Sequence, residues 1–361
     1  MVDRIKVLMI GPDRSVHGGI SGVVNNYYAA GITEKVDLCY IGTMVEGSKL
    51  RKLWQAVKAY LKFLRLLPKY PIVHVNVASD SSYHRKSLFI KAAKRAGKRI
   101  VIHQHGGDFE TFYEKEQNDR GRKKIRQVLG MGDVFLVLAP AWKTFFSRLI
   151  PEERIMVFPD TIAIPRKSTG EDGKGCSKGY SQKYGGQRVL FLGRLCRAKG
   201  IEELIHAMAE LHPEFPNARL LLGGIWEDQE LQTLAQQYPD FVTELGWISG
   251  KEKEEYLKTC DIFALPSYFE GQSIAILEAM AYSCGIVASN TGGIPMMISD
   301  EQTGLLVPPK NKEELKQAMR RLLEDPNLCR KLGENARQKA EKEFSIEKSI
   351  DQLVDIYSGL L

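Results

Sequence analysis

Short apolar runs rich in Val, Ile and Leu alternate along the chain with segments of helical period. Residues 5–10, 72–77, 99–103 and 134–138 have the length and β-branched content of buried strands, and residues 188–192, 218–222, 241–245, 262–265 and 286–289 repeat the pattern further on. Helix-period stretches such as 201–211 and 252–259 separate them. Strands alternating with helices predict parallel sheets covered on both faces, an α/β architecture. Residues 166–186, RKSTGEDGKGCSKGYSQKYGG, break the alternation with Gly, Ser and Lys and almost no apolar content, as a linker does. The predicted organisation is a first domain at 1–165, a linker at 166–186, a second domain at 187–344 and a closing helix at 345–361.

A length of 361 residues with 43% hydrophobic and 26% charged residues suits two globular cores. The opening MVDRIKVLMIG reads as a first buried strand and not a signal peptide. No apolar run approaches the roughly 18 residues of a spanning helix. The six cysteines, Cys39, Cys176, Cys196, Cys260, Cys284 and Cys329, include no C-x-x-C pair, which speaks against zinc and a disulfide framework and for a cytoplasmic location.

Charge divides the chain. Residues 1–165 hold 27 Lys and Arg against 15 Asp and Glu, a balance of +12, and the rest hold 24 against 29, or −5. The first half should be drawn to an anionic surface. Residues 49–70 carry seven basic residues and no acid; at 100° per residue Arg51, Lys58, Lys62, Arg65 and Lys69 share one stripe, and Leu50, Leu53, Trp54, Val57, Leu61 and Leu64 form a separate apolar one. Two expectations follow: a helix packed on the first sheet with a solvated basic face, or an amphipathic helix on an anionic membrane. Further basic clusters at 91–99 and 120–126 favour peripheral attachment to the inner face of the cell membrane. A nucleic-acid partner is disfavoured, because the basic residues lack interleaved aromatic stacking platforms.

Candidate chemistry concentrates in residues 265–289, LPSYFEGQSIAILEAMAYSCGIVAS, a strand-like run, a Gly turn and a helix. Glu270 falls in the loop and Glu278 about a turn inside the helix, at the carboxyl end of a parallel strand where open α/β sheets bind ligands. The helix start adds unpaired N–H groups and positive dipole, so an anion and several hydroxyls can be held together, as a nucleotide sugar presents them. Arg194 and Lys199 in FLGRLCRAKG follow a buried strand and precede a helix, placed to neutralise a diphosphate. No D-x-D pair exists in the chain, so no metal site is expected. Gly18 and Gly19 permit close approach of backbone to phosphate through positive φ. The surrounding loop does not fit G-x-G-x-x-G, which disfavours a nicotinamide enzyme. His105 stands at a strand end, before Gly106, Gly107 and Asp108.

These segments together resemble the family 4 glycosyltransferases. Glu270 and Glu278 match the two acids of the family's E-x7-E motif; Gly193, Arg194, Lys199 and Gly200 match its diphosphate loop; Gly18 and Gly19 after His17 its Gly-Gly loop; HQHGGDF at 103–109 its His-Gly strand end. The resemblance implies a GT-B fold, two Rossmann-like doubly wound domains facing across a cleft, with the final helix crossing back onto the first. It implies a retaining, hexosyltransferase-type enzyme that moves a sugar from a nucleoside-diphosphate sugar, UDP-linked, to a lipid-linked or glycan acceptor in surface polysaccharide or glycolipid synthesis. The nucleotide sugar is then a co-substrate, and no cofactor is needed. Glu278 would bond the ribose, Glu270 the transferred sugar, N–H groups across Gly271, Gln272, Ser273 and Ile274 would fix that sugar, and His105 would contact it near the reacting carbon. Met296, Ser283 and Gly285 stand where the family commonly has an acid, a glycine and a proline. The alternatives are a non-catalytic sugar-nucleotide-binding protein of the same fold and a sugar-nucleotide epimerase.

Overall fold

The computed structural model describes residues 4–106, 109–165 and 187–361. The predicted linker at 166–186, with Gly107 and Asp108, lies outside the described residues. The chain divides into two compact units, one of Met1–Ala163 with Ser345–Leu361 and one of Ile164–Phe344.

The first unit is built on a parallel sheet of β1 (Lys6–Gly11), β2 (Asp37–Gly42), β3 (Ile72–Val77), β4 (Arg99–Gln104), β5 (Val134–Val137) and β6 (Ile155–Val157), in the order β2-β1-β3-β4-β5-β6. Its central strand β3, IVHVNV, is buried at every position, as a parallel strand covered on both faces must be. The connections carry α1 (Gly19–Ala29), α2 (Ile32–Lys35), α3 (Lys49–Leu66), α4 (Asp80–Arg95), α5 (Phe109–Glu114), α6 (Asp119–Leu129) and α7 (Pro140–Phe146).

The second unit has β7 (Arg188–Leu192), β8 (Arg219–Gly223), β9 (Val242–Gly246), β10 (Ile262–Leu265), β11 (Gly285–Ser289) and β12 (Leu305–Val307), in the order β12-β11-β10-β7-β8-β9. Its helices are α8 (Ile201–Leu211), α9 (Gln229–Gln236), α10 (Gly250–Thr259), α11 (Ile274–Ala281), α12 (Ile294–Met297), α13 (Lys312–Glu324) and α14 (Pro326–Glu343). Counted from its own first strand the sheet runs 3-2-1-4-5-6. The winding therefore reverses between β7 and β10, and loops leaving the carboxyl ends of these neighbours diverge around a crevice.

The last helix, α15 (Ile346–Ser358), belongs to the first unit. Ile346 N donates to Ile162 O at 3.0 Å, and the Tyr357 hydroxyl lies 2.6 Å from His74 Nδ1 beneath β3.

Two features depart from expectation. Strands β2, β6 and β12, which the apolar pattern does not reveal, are edge strands, and β2 is half-buried along most of its length. An edge strand needs less apolar content and so leaves a weak signal. The second departure is in α3. Its buried side chains are Ala59 and Phe63, the latter against Phe89 with ring centroids 5.0 Å apart. The stripe of Leu50, Leu53, Trp54, Val57, Leu61 and Leu64, which the first of the two expectations would pack on the sheet, is exposed instead. Ala59 and Phe63 lie on the side of the helix opposite the leucines, so burying them turns the apolar stripe outward. No helix among the described residues is long and apolar enough to cross a membrane.

Candidate functional site

Three loops of the second unit meet at the reversal between β7 and β10. The loop after β7 carries Arg194 and, in a 3-10 turn at Arg197–Lys199, Lys199. The loop after β10 carries Glu270, Gly271, Gln272 and Ser273, and the loop after β11 carries Gly292 and Gly293. Backbone contacts lock them together: Tyr268 N donates to Ala198 O at 2.9 Å, and Gly293 N to Glu270 O at 3.0 Å. Two glycines are required by this packing. Gly200 has φ +71°, and a Cβ there would stand 2.1 Å from Pro266 O; Gly292 has φ +55°, and its Cβ would stand 1.8 Å from Glu270 O.

Inside this frame Lys199 and Glu270 form an ion pair, each less than a fifth exposed, and Ser267 Oγ donates to the same Glu270 Oε1 at 2.9 Å. The sequence places these two side chains 71 residues apart; the strand order makes them neighbours. Ser273 caps α11, its Oγ accepting from Ile276 N at 3.4 Å, which leaves Ile274 in the first turn, where N–H groups lack intrahelical partners. Glu278, in the second turn, is paired with Lys253 of α10, Nζ to Oε1 2.6 Å. Lys253 has no counterpart in the sequence reading, because GKEKEEY looks like any solvated helix start. Arg194 is not part of the Lys199–Glu270 pair: it is more than half exposed and contacts Glu227, Nη1 to Oε2 3.0 Å.

In the first unit Gly18 caps α1 and Gly19 begins it. Neither is required by a positive φ, contrary to expectation: Gly18 is extended, at φ 172°, and Gly19 is not among the residues of positive φ. A Cβ on either would meet nothing within 4 Å, so both face open space. His17 is tied to Glu46, Nδ1 to Oε1 2.9 Å.

The His105 side chain is covered at the end of β4, its Nε2 2.9 Å from Asn76 Oδ1 and its Nδ1 3.4 Å from Asp160 Oδ1. Its ring lies over that of His103, centroids 3.9 Å apart, and His74 follows at 5.5 Å from His103. Burial, then the nearby His105, pushes His74 down to about 3 and His103 well below the ordinary histidine range, so both are neutral at physiological pH. The sequence reading singled out His105 alone. The H-Q-H spacing already placed His103 on the same face of the strand. Ligand atoms of His103, His105 and Asp160 all lie within 4.8 Å of one another, the one such group of His, Cys, Asp and Glu among the described residues. Two imidazoles and a carboxylate are donors that a transition metal accepts.

Two Rossmann-like units, each a six-stranded parallel sheet wound with helices, define the GT-B class of glycosyltransferase folds. A sucrose-phosphate synthase from Thermosynechococcus elongatus superposes with a TM-score of 0.76 at 23% identity, over 99% of each chain. Anabaena HepE, in a complex with UDP and glucose, does so with a TM-score of 0.74 at 17% identity, over 98% of this chain and 99% of that one. Residues 180–339 match the model of the glycosyl transferases group 1. The putative glycosyltransferase YtcC of Bacillus subtilis is 30% identical over 301 residues, 76% of this chain and 70% of that protein. The chain belongs to the glycosyl transferases group 1 family. Other relatives match over less: the α-D-kanosaminyltransferase of Streptomyces kanamyceticus is 33% identical over 172 residues, 47% of this chain and 45% of its own, and the chain spans about half the length of several curated relatives.

Proposed function

We propose that the protein is a retaining, hexosyltransferase-type glycosyltransferase that moves a sugar from a UDP-sugar to a lipid-linked or glycan acceptor, in surface polysaccharide or glycolipid synthesis. The observation that carries this is the Lys199–Glu270 pair, held where the loops after β7 and β10 meet. An ammonium fixed beside a carboxylate offers a cation to a diphosphate and an acceptor to sugar hydroxyls within one small volume. The solved complex of HepE with UDP and glucose supports the choice of donor.

The catalytic set is His105, Arg194, Lys199 and Glu270. The bond from the anomeric carbon to the leaving phosphate oxygen breaks while the acceptor oxygen bonds the same face of that carbon, and the acceptor proton passes to the leaving phosphate. Negative charge grows on the diphosphate as it leaves. Lys199 and Arg194 stabilise that charge, and because Glu270 already orients Lys199, little reorganisation is needed at the transition state. Glu278, steadied by Lys253, takes the ribose hydroxyls. N–H groups across Gly271, Gln272, Ser273 and Ile274 fix the transferred sugar, and Gly18 and Gly19 leave room for phosphate. No cofactor takes part and no metal is needed. The enzyme works peripherally on the cytoplasmic face of an anionic membrane, to which its basic first unit is drawn.

Thermal shift with UDP-, GDP- and ADP-sugars, followed by transfer to extracted lipid and glycan acceptors with assignment of the product anomer, tests this. Stabilisation by a UDP-sugar and a product of retained configuration are expected. Stabilisation without any turnover would indicate a silent binding protein, and an altered free donor formed without acceptor an epimerase.

A further inference from the structure

Helix α3 presents its apolar residues to solvent. Leu50 is 80% exposed, Trp54 72%, Leu53 and Leu61 63% each, and Val57 and Leu64 a little over 40%. These six are half of the large apolar side chains exposed among the described residues. At 100° per residue they fall within one stripe on the side opposite the buried Ala59 and Phe63. Isolated exposed leucines need no explanation, but a continuous stripe along about 21 Å of helix marks an interaction surface.

Charge decides what covers it. Arg51, Lys58, Lys62 and Arg65 flank the stripe along one edge, and residues 49–70 contain no acid. Neither Lys58 nor Lys62 has an ion-pair partner among the described residues. Both line a groove of about 730 Å³ in the same unit, together with Arg14, Tyr28, Tyr40 and Gln55. A protein partner for an apolar stripe of this kind would not require one uniformly basic edge, whereas a sheet of lipid phosphates above an apolar layer matches both parts at once. We propose that α3 is an interfacial helix whose stripe of Leu50, Leu53, Trp54, Val57, Leu61 and Leu64 enters the headgroup–acyl boundary of an anionic bilayer. Arg51 and Arg65 lie at lipid phosphates, and Lys58 and Lys62 hold a phosphate headgroup at the mouth of the groove.

This deepens the membrane location given above by specifying insertion in place of attraction alone, and it rests on that location but not on the sugar chemistry. The experiment needs neither donor nor acceptor, so its failure is separable from a failure of the glycosyltransferase assignment. The full chain is sedimented with vesicles of phosphatidylglycerol and phosphatidylcholine, or of phosphatidylcholine alone, at low salt and at 1 M salt, while tryptophan emission is followed. Wild type should bind the anionic vesicles with a blue shift that Trp54→Phe removes. At 1 M salt, where the Debye length is about 3 Å, binding should weaken about tenfold yet persist. Leu53→Ser/Trp54→Ser/Leu61→Ser should bind about tenfold or more weakly at both salt levels. Lys58→Glu/Lys62→Glu should lose binding at low salt and the preference for phosphatidylglycerol. All substituted residues are exposed, so melting temperatures near that of wild type verify the fold. Equal binding of the serine variant and wild type would overturn insertion, and failure of wild type to bind either vesicle would overturn the membrane. Self-association of wild type that the serine variant abolishes, without vesicle binding, would make the stripe a protein interface and overturn it as well.

Discussion

Replacing Gly200 by alanine tests whether the loops after β7 and β10 are locked in the way that positions Lys199 beside Glu270. Gly200 has φ +71°, a conformation that costs an alanine about 1 kcal/mol. The added Cβ would also stand 2.1 Å from Pro266 O. Ordinary contact begins at 3.4 Å, so the two backbones must part by more than an ångström. Overpacking of that kind costs about 1–3 kcal/mol more. Gly246 provides the control within the same unit: its φ is +66°, and a Cβ there would meet nothing within 4 Å. Gly246→Ala should therefore lose only the backbone part, about 2–4 °C in Tm, and Gly200→Ala about 4–16 °C. The displacement should also separate Lys199 from Glu270, and an error of about 1 Å in such a constellation costs about a hundredfold. Calorimetry should accordingly show UDP binding preserved in Gly246→Ala and lost or strongly weakened in Gly200→Ala. Equal melting temperatures with equal UDP affinities in the two variants would refute the reasoning.

Other expectations are equally direct. Glu278→Ala and Lys199→Ala should weaken donor binding strongly, while Glu270→Ala should mainly lower kcat, by about 10²–10³-fold; unchanged UDP affinity in both of the first two would remove the site assignment. Turnover should survive EDTA, and a loss restored by one divalent metal would instead point to His103, His105 and Asp160 as its ligands. Acid should destabilise the first unit through His74. In the unfolded chain this histidine takes up a proton near pH 6.5, whereas burial holds it neutral in the folded protein down to about pH 3. Between those values the unfolded state binds more protons, so stability falls as pH drops, by up to about 5 kcal/mol from this one group. Urea midpoints measured from pH 7.5 to 4 should show the decline, and His74→Gln should flatten it; an unchanged slope in that variant would place the acid sensitivity elsewhere.

The alternation of apolar runs with helical periods was enough to determine the α/β class, because strands such as β3 and β10 are buried on both faces and must be apolar throughout. Lys199 and Glu270 were legible as candidates because a charged residue in a Gly-bearing loop after a buried strand has few structural reasons to be there. Their pairing was not legible. It depends on β7 lying beside β10, a consequence of chain winding that no local pattern encodes. Lys253 escaped for the same reason, being one lysine among several on a polar helix until α10 sets it against Glu278. The edge strands β2, β6 and β12 were lost because hydrogen bonding to one neighbour and a half-exposed face demand little of their side chains. In α3 the period fixed which residues share a face, but not which face turns inward. That was decided by what the rest of the unit packs against the helix: Phe89 meets Phe63, Ala59 is buried beside it, and the stripe on the other side stays exposed. Periodicity is a property of the segment, whereas burial is a property of what it packs against.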